Sequence, residues 1–285
     1  MMKHFISLTL LIALLAGCHP AVKHAETPET TFRFAFMTDI HLNMGENNCF
    51  QGLEQAIGHA KSNKAEFIIT GGDNVDVDYL KDNNETAHEL YQRLATFKDQ
   101  AGIGFYTTIG NHDRFWDVPA DDPLYNRGMY EKYLGKTYHS FSYKGWHFII
   151  LDTSSSKVDE EQKEWLVKDL AALDSSTPIV VSTHVPFLSV YYPVLSGEYT
   201  SRDTFSNFKE ILDLFEGKNL KLVLQGHMHL YEEIKVKGIQ FITAGAVSAS
   251  WWGGSYHGTE EGYLLVEING NDFTWEYVDY GWEVK

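Results

Sequence analysis

Apolar positions along the chain follow two alternating rhythms. Short apolar runs, RFAFMT (33–38), FIIT (67–70), FYTTI (105–109), PIVVST (178–183) and LKLVL (220–224), read as buried strands. Between several of them, apolar residues recur at helical spacing over 50–63, 86–100, 159–174 and 204–216. Strands alternating with helices predict βαβ units, with sheets covered by helices. Three stretches depart from that rhythm. HSFSYKGWHFIILD (139–152) predicts a hairpin turning near Lys144-Gly145. EEIKVKGIQFITAG (232–245) and YLLVEINGNDFTWEYV (263–278) predict two more, the last with an Asn-Gly-Asn turn. The class is α/β with mixed sheets, and no internal repeat or low-complexity tract breaks it.

The first segment stands outside this pattern. Lys3 and His4 precede FISLTLLIALLAG, an apolar run of 13 residues, and Leu-Ala-Gly-Cys18 follows its core. A basic start and a run too short for a membrane span predict a signal peptide over 1–17. Small residues directly before Cys18 resemble a bacterial lipobox, which makes Cys18 the lipidated first residue of the mature chain. The plainer alternative is an ordinary signal peptide with an incidental cysteine. Residues 19–31, HPAVKHAETPETT, hold one large apolar residue, Val22, and read as a tether. One domain is then expected over 32–285. A lipidated chain belongs to the cell envelope. His19 is not the Asp that retains lipoproteins at an inner membrane, so the outer membrane is favoured if the source is Gram-negative.

Charge and cysteines narrow the function. A formal charge of −16 argues against a nucleic-acid backbone as main partner, because phosphate chains need clustered Lys and Arg. With Cys18 lipidated, Cys49 is the remaining cysteine, and no internal disulfide can form. Cys49 is expected to be a small packed side chain at a helix start.

The polar residues that do not suit strands gather in one topological place. Asp39 and His41 follow the first strand, Asp73 the second, and Asn111 and His112 the third. His184 and the pair His227/His229 follow the next two. All sit at C-terminal strand ends, where α/β sheets hold their ligands. Imidazole nitrogen with carboxylate and amide oxygen is the donor set of a transition-metal site. Asp39, His41, Asp73, Asn111, His184, His227 and His229 make seven donors, too many for one tetrahedral ion and about right for two that share a carboxylate.

In order, Asp39-x-His41, Gly72-Asp73-x-x-Asp76, Gly110-Asn111-His112-Asp113, Thr183-His184-x-Pro186 and Gly226-His227-x-His229 resemble the five blocks of the calcineurin-like metallophosphoesterase superfamily. Each block alone is weak; five in order, each after a predicted strand, are specific. The resemblance implies a four-layer αββα sandwich of two mixed β-sheets flanked by helices. It implies a first ion on Asp39, His41 and His229, a second on Asn111, His184 and His227, and Asp73 bridging them. The ions would be divalent or trivalent, Mn, Fe or Zn. Gly71, Gly72, Gly110 and Gly226 are expected where the backbone turns sharply and comes close to the metals.

The same resemblance makes His112 the proton donor to the leaving group, with a metal-bridging hydroxide as nucleophile. Asp76 matches the carboxylate that orients this histidine in some branches, with Asp113 as runner-up; Asp76 as a helix N-cap is the alternative. Arg114 either reaches a substrate phosphate or forms a surface salt bridge. The purple acid phosphatase pattern would need Asp at position 41 and a tyrosine soon after the second block; Tyr79 stands six residues past Asp73. A protein Ser/Thr phosphatase would continue Asp76 with Arg-Gly, where this chain has Val77-Asp78.

Substrate choice is expected in three loops: 114–130, 186–199 and 245–258. In the last, Trp251 and Trp252 either pack beneath the loop or form an aromatic platform for a flat group. The reading is a lipid-anchored, dinuclear-metal phosphoesterase acting on a small-molecule phosphate ester. Phosphodiesters such as cyclic nucleotides come first and phosphomonoesters second. A non-catalytic envelope binding protein on the same fold is the alternative of another class.

Overall fold

The computed structural model describes residues 30–198 and 204–284. The expected signal peptide, Cys18 and most of the tether lie outside them. Chain order is β1 (Thr31–Met37), α1 (Cys49–Ser62), β2 (Phe67–Thr70), α2 (Asn84–Gln100), β3 (Gly104–Tyr106) and α3 (Gly128–Leu134). There follow β4 (His139–Tyr143), β5 (Trp146–Ile150), α4 (Glu160–Ala171), β6 (Pro178–Ser182), α5 (Tyr191–Ser196) and α6 (Phe208–Asp213). The chain closes with β7 (Asn219–Gln225), β8 (Glu232–Val236), β9 (Ile239–Thr243), β10 (Gly262–Asn269) and β11 (Asp272–Asp279).

The strands form two mixed sheets, in the orders β11-β10-β1-β2-β3 and β4-β5-β6-β7-β9-β8. Parallel pairing joins β1/β2/β3 in one sheet, with β3 at its edge, and β5/β6/β7/β9 in the interior of the other. The hairpins supply the antiparallel edges, as their sequence predicts. Lys144 and Gly145 both take positive φ (44° and 86°), the geometry of a two-residue turn that matches strand twist.

Side-chain alternation explains why the sheets stack. Phe32, Phe34 and Phe36 of β1 point to one face, where Trp146, Phe148, Leu222, Leu224 and Ile242 of the second sheet meet them. Phe34 lies parallel to Phe67 at 5.0 Å and meets Phe148 edge-on at 5.4 Å, so aromatic rings join the sheets. Ala35, Met37 and Ile68 face the other way and pack with α1, α2 and α3. Ile149, Val181 and Val223 on the outer face of the second sheet take α4 and α6. The result is four layers, αββα. Among the described residues no helix is long and apolar enough to cross a membrane.

Two details differ from the sequence expectation. The strand expected over 105–109 ends at Tyr106, because the chain then leaves the sheet toward the cluster of polar residues. The helix expected over 204–216 is confined to α6, while α3 and α5 arise within two of the loops expected to wall the pocket. Pro, Asp and Gly crowd the sequence around α3 and hide its short period.

Candidate metal centre

The two sheets meet where β1 ends. Thr38 pairs with Ala246 as an isolated parallel bridge, and a side-chain carbon on Gly226 would lie 2.0 Å from Thr38 Oγ1. Only glycine fits there. The seven donor residues follow β1, β2 and β3 in one sheet and β6 and β7 in the other. They therefore converge on the seam between the sheets' C-terminal edges.

Two groups form. Asp39, His41 and His229 place one donor atom each within 4.8 Å of one another, as do Asp73, His184 and His227. Asn111 Oδ1 joins the second group, 3.1 Å from His184 Nε2. Asp73 stands between the groups: its Oδ2 is 3.0 Å from His184 Nε2 and 3.9 Å from His41 Nε2. The backbone is strained to achieve this. Asp39, His41, Asp73, His227 and His229 all take φ between 50° and 75°, a region that residues with side chains seldom occupy. Gly72 also has positive φ (92°), and a side chain on Gly110 would strike Asp73 N at 2.1 Å.

The hydrogen bonds fix which nitrogen of each imidazole faces inward. His184 Nδ1 donates to Gly71 O at 2.9 Å, and His229 Nδ1 to Ala249 O at 2.5 Å. His41 Nδ1 is held by Asp76 Oδ1 at 2.6 Å. In a neutral ring the other nitrogen is then a bare lone pair. His184 Nε2 nevertheless faces Asp73 Oδ2, Asn111 Oδ1 and, at 3.2 Å, His227 Nδ1. A set of acceptors pointed at one another and buried is costly unless a cation sits among them. The donor set fits two metal ions.

Electrostatics agree. Burial opposes a charge on His184, but Asp73 outweighs it and raises the ring to about 9. Burial and the neighbouring His184 push His227 down to about 4. His229 is raised against its burial by Asp39. The carboxylates Asp39 and Asp73 are held below their ordinary range despite burial, by His229 and His184 respectively. The centre calls for positive charge and keeps carboxylates ionised to receive it.

His112 occupies a different position. Its backbone N–H donates to Asp73 Oδ1 at 2.8 Å, and its ring Nε2 is 4.0 Å from Asp73 Oδ2. Its side chain is 31% exposed, whereas His41 and His184 are fully buried, so it borders the centre and opens to solvent. Burial opposes its charge, but the hydrogen bond with Asp78 and the field of Asp73 raise it to about 10.

Three expectations need correction. The carboxylate on His112 is Asp78, with Oδ1 2.8 Å from Nδ1; Asp76 instead holds His41. Asp76 precedes the turn that Asp78 opens, and the two acids reach different rings. Asp113 does not reach His112 through its carboxylate. It is buried and accepts from the backbone of Asn74, Val75 and Gly110 and from Asn74 Nδ2, which ties the second block to the third. Trp252 is core: it is 2% exposed, lies on Gly52 of α1, and donates through Nε1 to Ile40 O at 2.9 Å. Trp251 is 44% exposed and stacks on His229 with ring centres 4.2 Å apart.

Among the described residues Arg114 forms no surface salt bridge. It is buried, lies over Trp116 and reaches Ser154 Oγ at 3.4 Å. Tyr79 is exposed, away from the role of a tyrosine ligand. Cys49 is a free buried thiol at the start of α1, bonded to Asn43 O. The residues that sequence reasoning missed are Asp78 and the carbonyls of Gly71 and Ala249. A backbone carbonyl leaves no mark in a sequence, but the acid pair spaced by one residue was a usable signal.

Similarity to known proteins agrees with this geometry. The chain is 24% identical over 230 residues to a probable cyclic nucleotide phosphodiesterase of Psychrobacter arcticus, covering 73% of this chain and 77% of that protein. It is 36% identical over 98 residues to purple acid phosphatase 15 of Arabidopsis thaliana, a match limited to 33% of this chain and 17% of that one. Its fold resembles a dimetal phosphatase from Danio rerio (TM-score 0.60, 14% identity, 88% and 99% of the two chains). It also resembles the yellow lupin purple acid phosphatase PPD1 (TM-score 0.60, 15% identity, 88% and 52%). The profile of the calcineurin-like phosphoesterases matches residues 32–231, and the chain belongs to that family.

Proposed function

We propose that this enzyme hydrolyses small phosphodiesters, cyclic nucleotides first among them, and that His112 delivers the proton to the leaving oxygen. The observation that carries the reading is the contrast between His112 and the other histidines. Its ring borders the centre, is open to solvent and is held through Nδ1 by Asp78, which leaves Nε2 to face a ligand. A binding protein has no need of such a group; a hydrolase does.

Two bound ions would supply an activated water and neutralise charge at phosphorus. Asp39, His41 and His229 would hold one, Asn111, His184 and His227 the other, and Asp73 both. Asp76 and the carbonyls of Gly71 and Ala249 orient the ligating rings. Arg114 follows His112 by two residues, and its buried Nε has no hydrogen-bond partner among the described residues; we assign it to the phosphate side of the pocket. Asp39 and Asp73 offset part of the ions' charge, and a monoanionic diester asks less of the remainder than a dianionic monoester. The similarity to a probable cyclic nucleotide phosphodiesterase supports the same choice.

The test is hydrolysis of bis-p-nitrophenyl phosphate and p-nitrophenyl phosphate with added Mn, followed by a panel of natural esters including cyclic nucleotides. The reading expects turnover of the diester to exceed that of the monoester. Preference for the monoester would replace it with a phosphomonoesterase. We further propose that the chain is lipid-anchored through Cys18 in the cell envelope, a reading supported by the leader sequence alone.

A further inference from the structure

Trp251 and Tyr256 form a corner beside the first metal group. Their rings stand at 89° with centres 5.7 Å apart. Trp251 stacks on His229 and lies 5.6 Å from His41, so the corner begins at the ligands themselves. The loop is fixed rather than free. Trp252 is buried and anchored on the carbonyls of Ile40 and His41, and it carries Trp251 outward from that anchor. Tyr256 and Thr259 close a two-way backbone bridge, and Tyr256 Oη meets Tyr191 Oη of α5 at 3.1 Å.

We propose that this corner binds the organic half of the substrate by stacking a flat ring, and that it reads the ring's face and not its edge. The proposal rests on the phosphoesterase reading above and names what lies beyond the phosphate. An indole 44% exposed at the rim of a metal centre presents a large apolar face to whatever enters. Every nucleobase and every aryl group has such a face, and stacking on it tolerates differences in ring identity. Discrimination among rings would need hydrogen bonds to their edges. The corner's one phenol, Tyr256, is tied to the hydroxyl of Tyr191 of α5, which commits one donor and one acceptor of that pair. A ring should therefore matter, and which ring should matter little.

The experiment is calorimetric titration of the metal-loaded full chain with AMP, CMP, phenyl phosphate and methyl phosphate. It needs no turnover. The three ring-bearing ligands should bind about 5- to 150-fold more tightly than methyl phosphate and lie within a few-fold of one another. Trp251→Ala should bring that ratio close to one, and Trp251→Phe should keep most of it. Metal content is measured alongside, because Trp251 touches His229. If Trp251→Ala loses metal, Tyr256→Leu reads the same ratio and should lower it several-fold. Equal binding of ring-bearing and ringless ligands by the wild-type chain would overturn the stacking corner and leave the hydrolase reading intact. A strong preference for one base would overturn face-only recognition. Failure of all four ligands to bind would count against phosphate binding at the centre, and the corner would fall with it.

Discussion

His41 Nε2 and His229 Nε2 point at each other across 3.0 Å, although each ring is already held through its other nitrogen. Two lone pairs in that position repel unless a proton or a metal lies between them. Metal binding should therefore stabilise the fold as well as enable catalysis. A ligand at a hundred times its dissociation constant adds about 2.7 kcal/mol, which corresponds to about 5–10 °C in Tm for a domain of this size. Thermal melts with and without chelator, then with Mn, Zn or Fe restored, measure it. A Tm that ignores all three ions would contradict the metal assignment.

Asp76 and Asp78 should separate in their effects, because one acts on a ligating ring and the other on His112. Partners of ligating histidines are worth about 10- to 100-fold in metal affinity or activity. Asp76→Asn should weaken metal binding on that scale. Asp78→Asn should keep the metal and lose turnover, most for esters with poor leaving groups. His112→Ala should show the same pattern more strongly, about 10²–10⁴-fold. Elemental analysis together with kcat for nitrophenyl and alkyl esters distinguishes the variants. Equal losses on good and poor leaving groups in Asp78→Asn would remove it from the proton-donor unit.

The sequence carried the centre further than it carried the surroundings, and the reason is physical. Asp39, His41, Asp73 and the later histidines are polar residues at strand ends, where burial without partners is costly, so their positions alone announce a ligand. The sandwich was implied by the five motif blocks together; the structure adds that Phe32, Phe34 and Phe36 of β1 are covered by the second sheet. What the sequence could not divide were neighbours with one composition and two environments. Asp76 precedes a turn that Asp78 opens. Trp251 and Trp252 differ by which side of a left-handed loop each occupies, both at positive φ (50° and 71°). Such choices are made by tertiary geometry and leave no periodic trace.

Cys18 lies outside the described residues, so its role rests on the leader. Lipidation should hold the mature protein in the membrane fraction, and Cys18→Ala should release it or leave the uncleaved precursor. Fractionation of cells with mass analysis of the mature N-terminus decides it. A wild-type protein that is soluble and lacks lipid would leave an ordinary secreted enzyme with an incidental cysteine.

Asp73 offers the sharpest test of a shared centre. Its Oδ2 faces both groups, and its Oδ1 accepts the His112 N–H at 2.8 Å, so one carboxylate ties together His184 of the second group, His41 of the first and His112. Asn at this position keeps the shape and one acceptor oxygen. It removes the negative charge and puts an amide donor among lone pairs. Two ions would then face one acidic ligand, Asp39, where they had two. Asp73→Asn should bring metal content from two ions per chain toward one or none, and activity should fall with it. Asp113→Asn is the useful comparison, because its carboxylate holds backbone and faces no metal group; it should lower stability before it lowers metal content. Elemental analysis on both variants, with Tm measured alongside, reads the difference. Two ions fully retained in Asp73→Asn would show that each is held without a bridge, and the centre would be two independent sites.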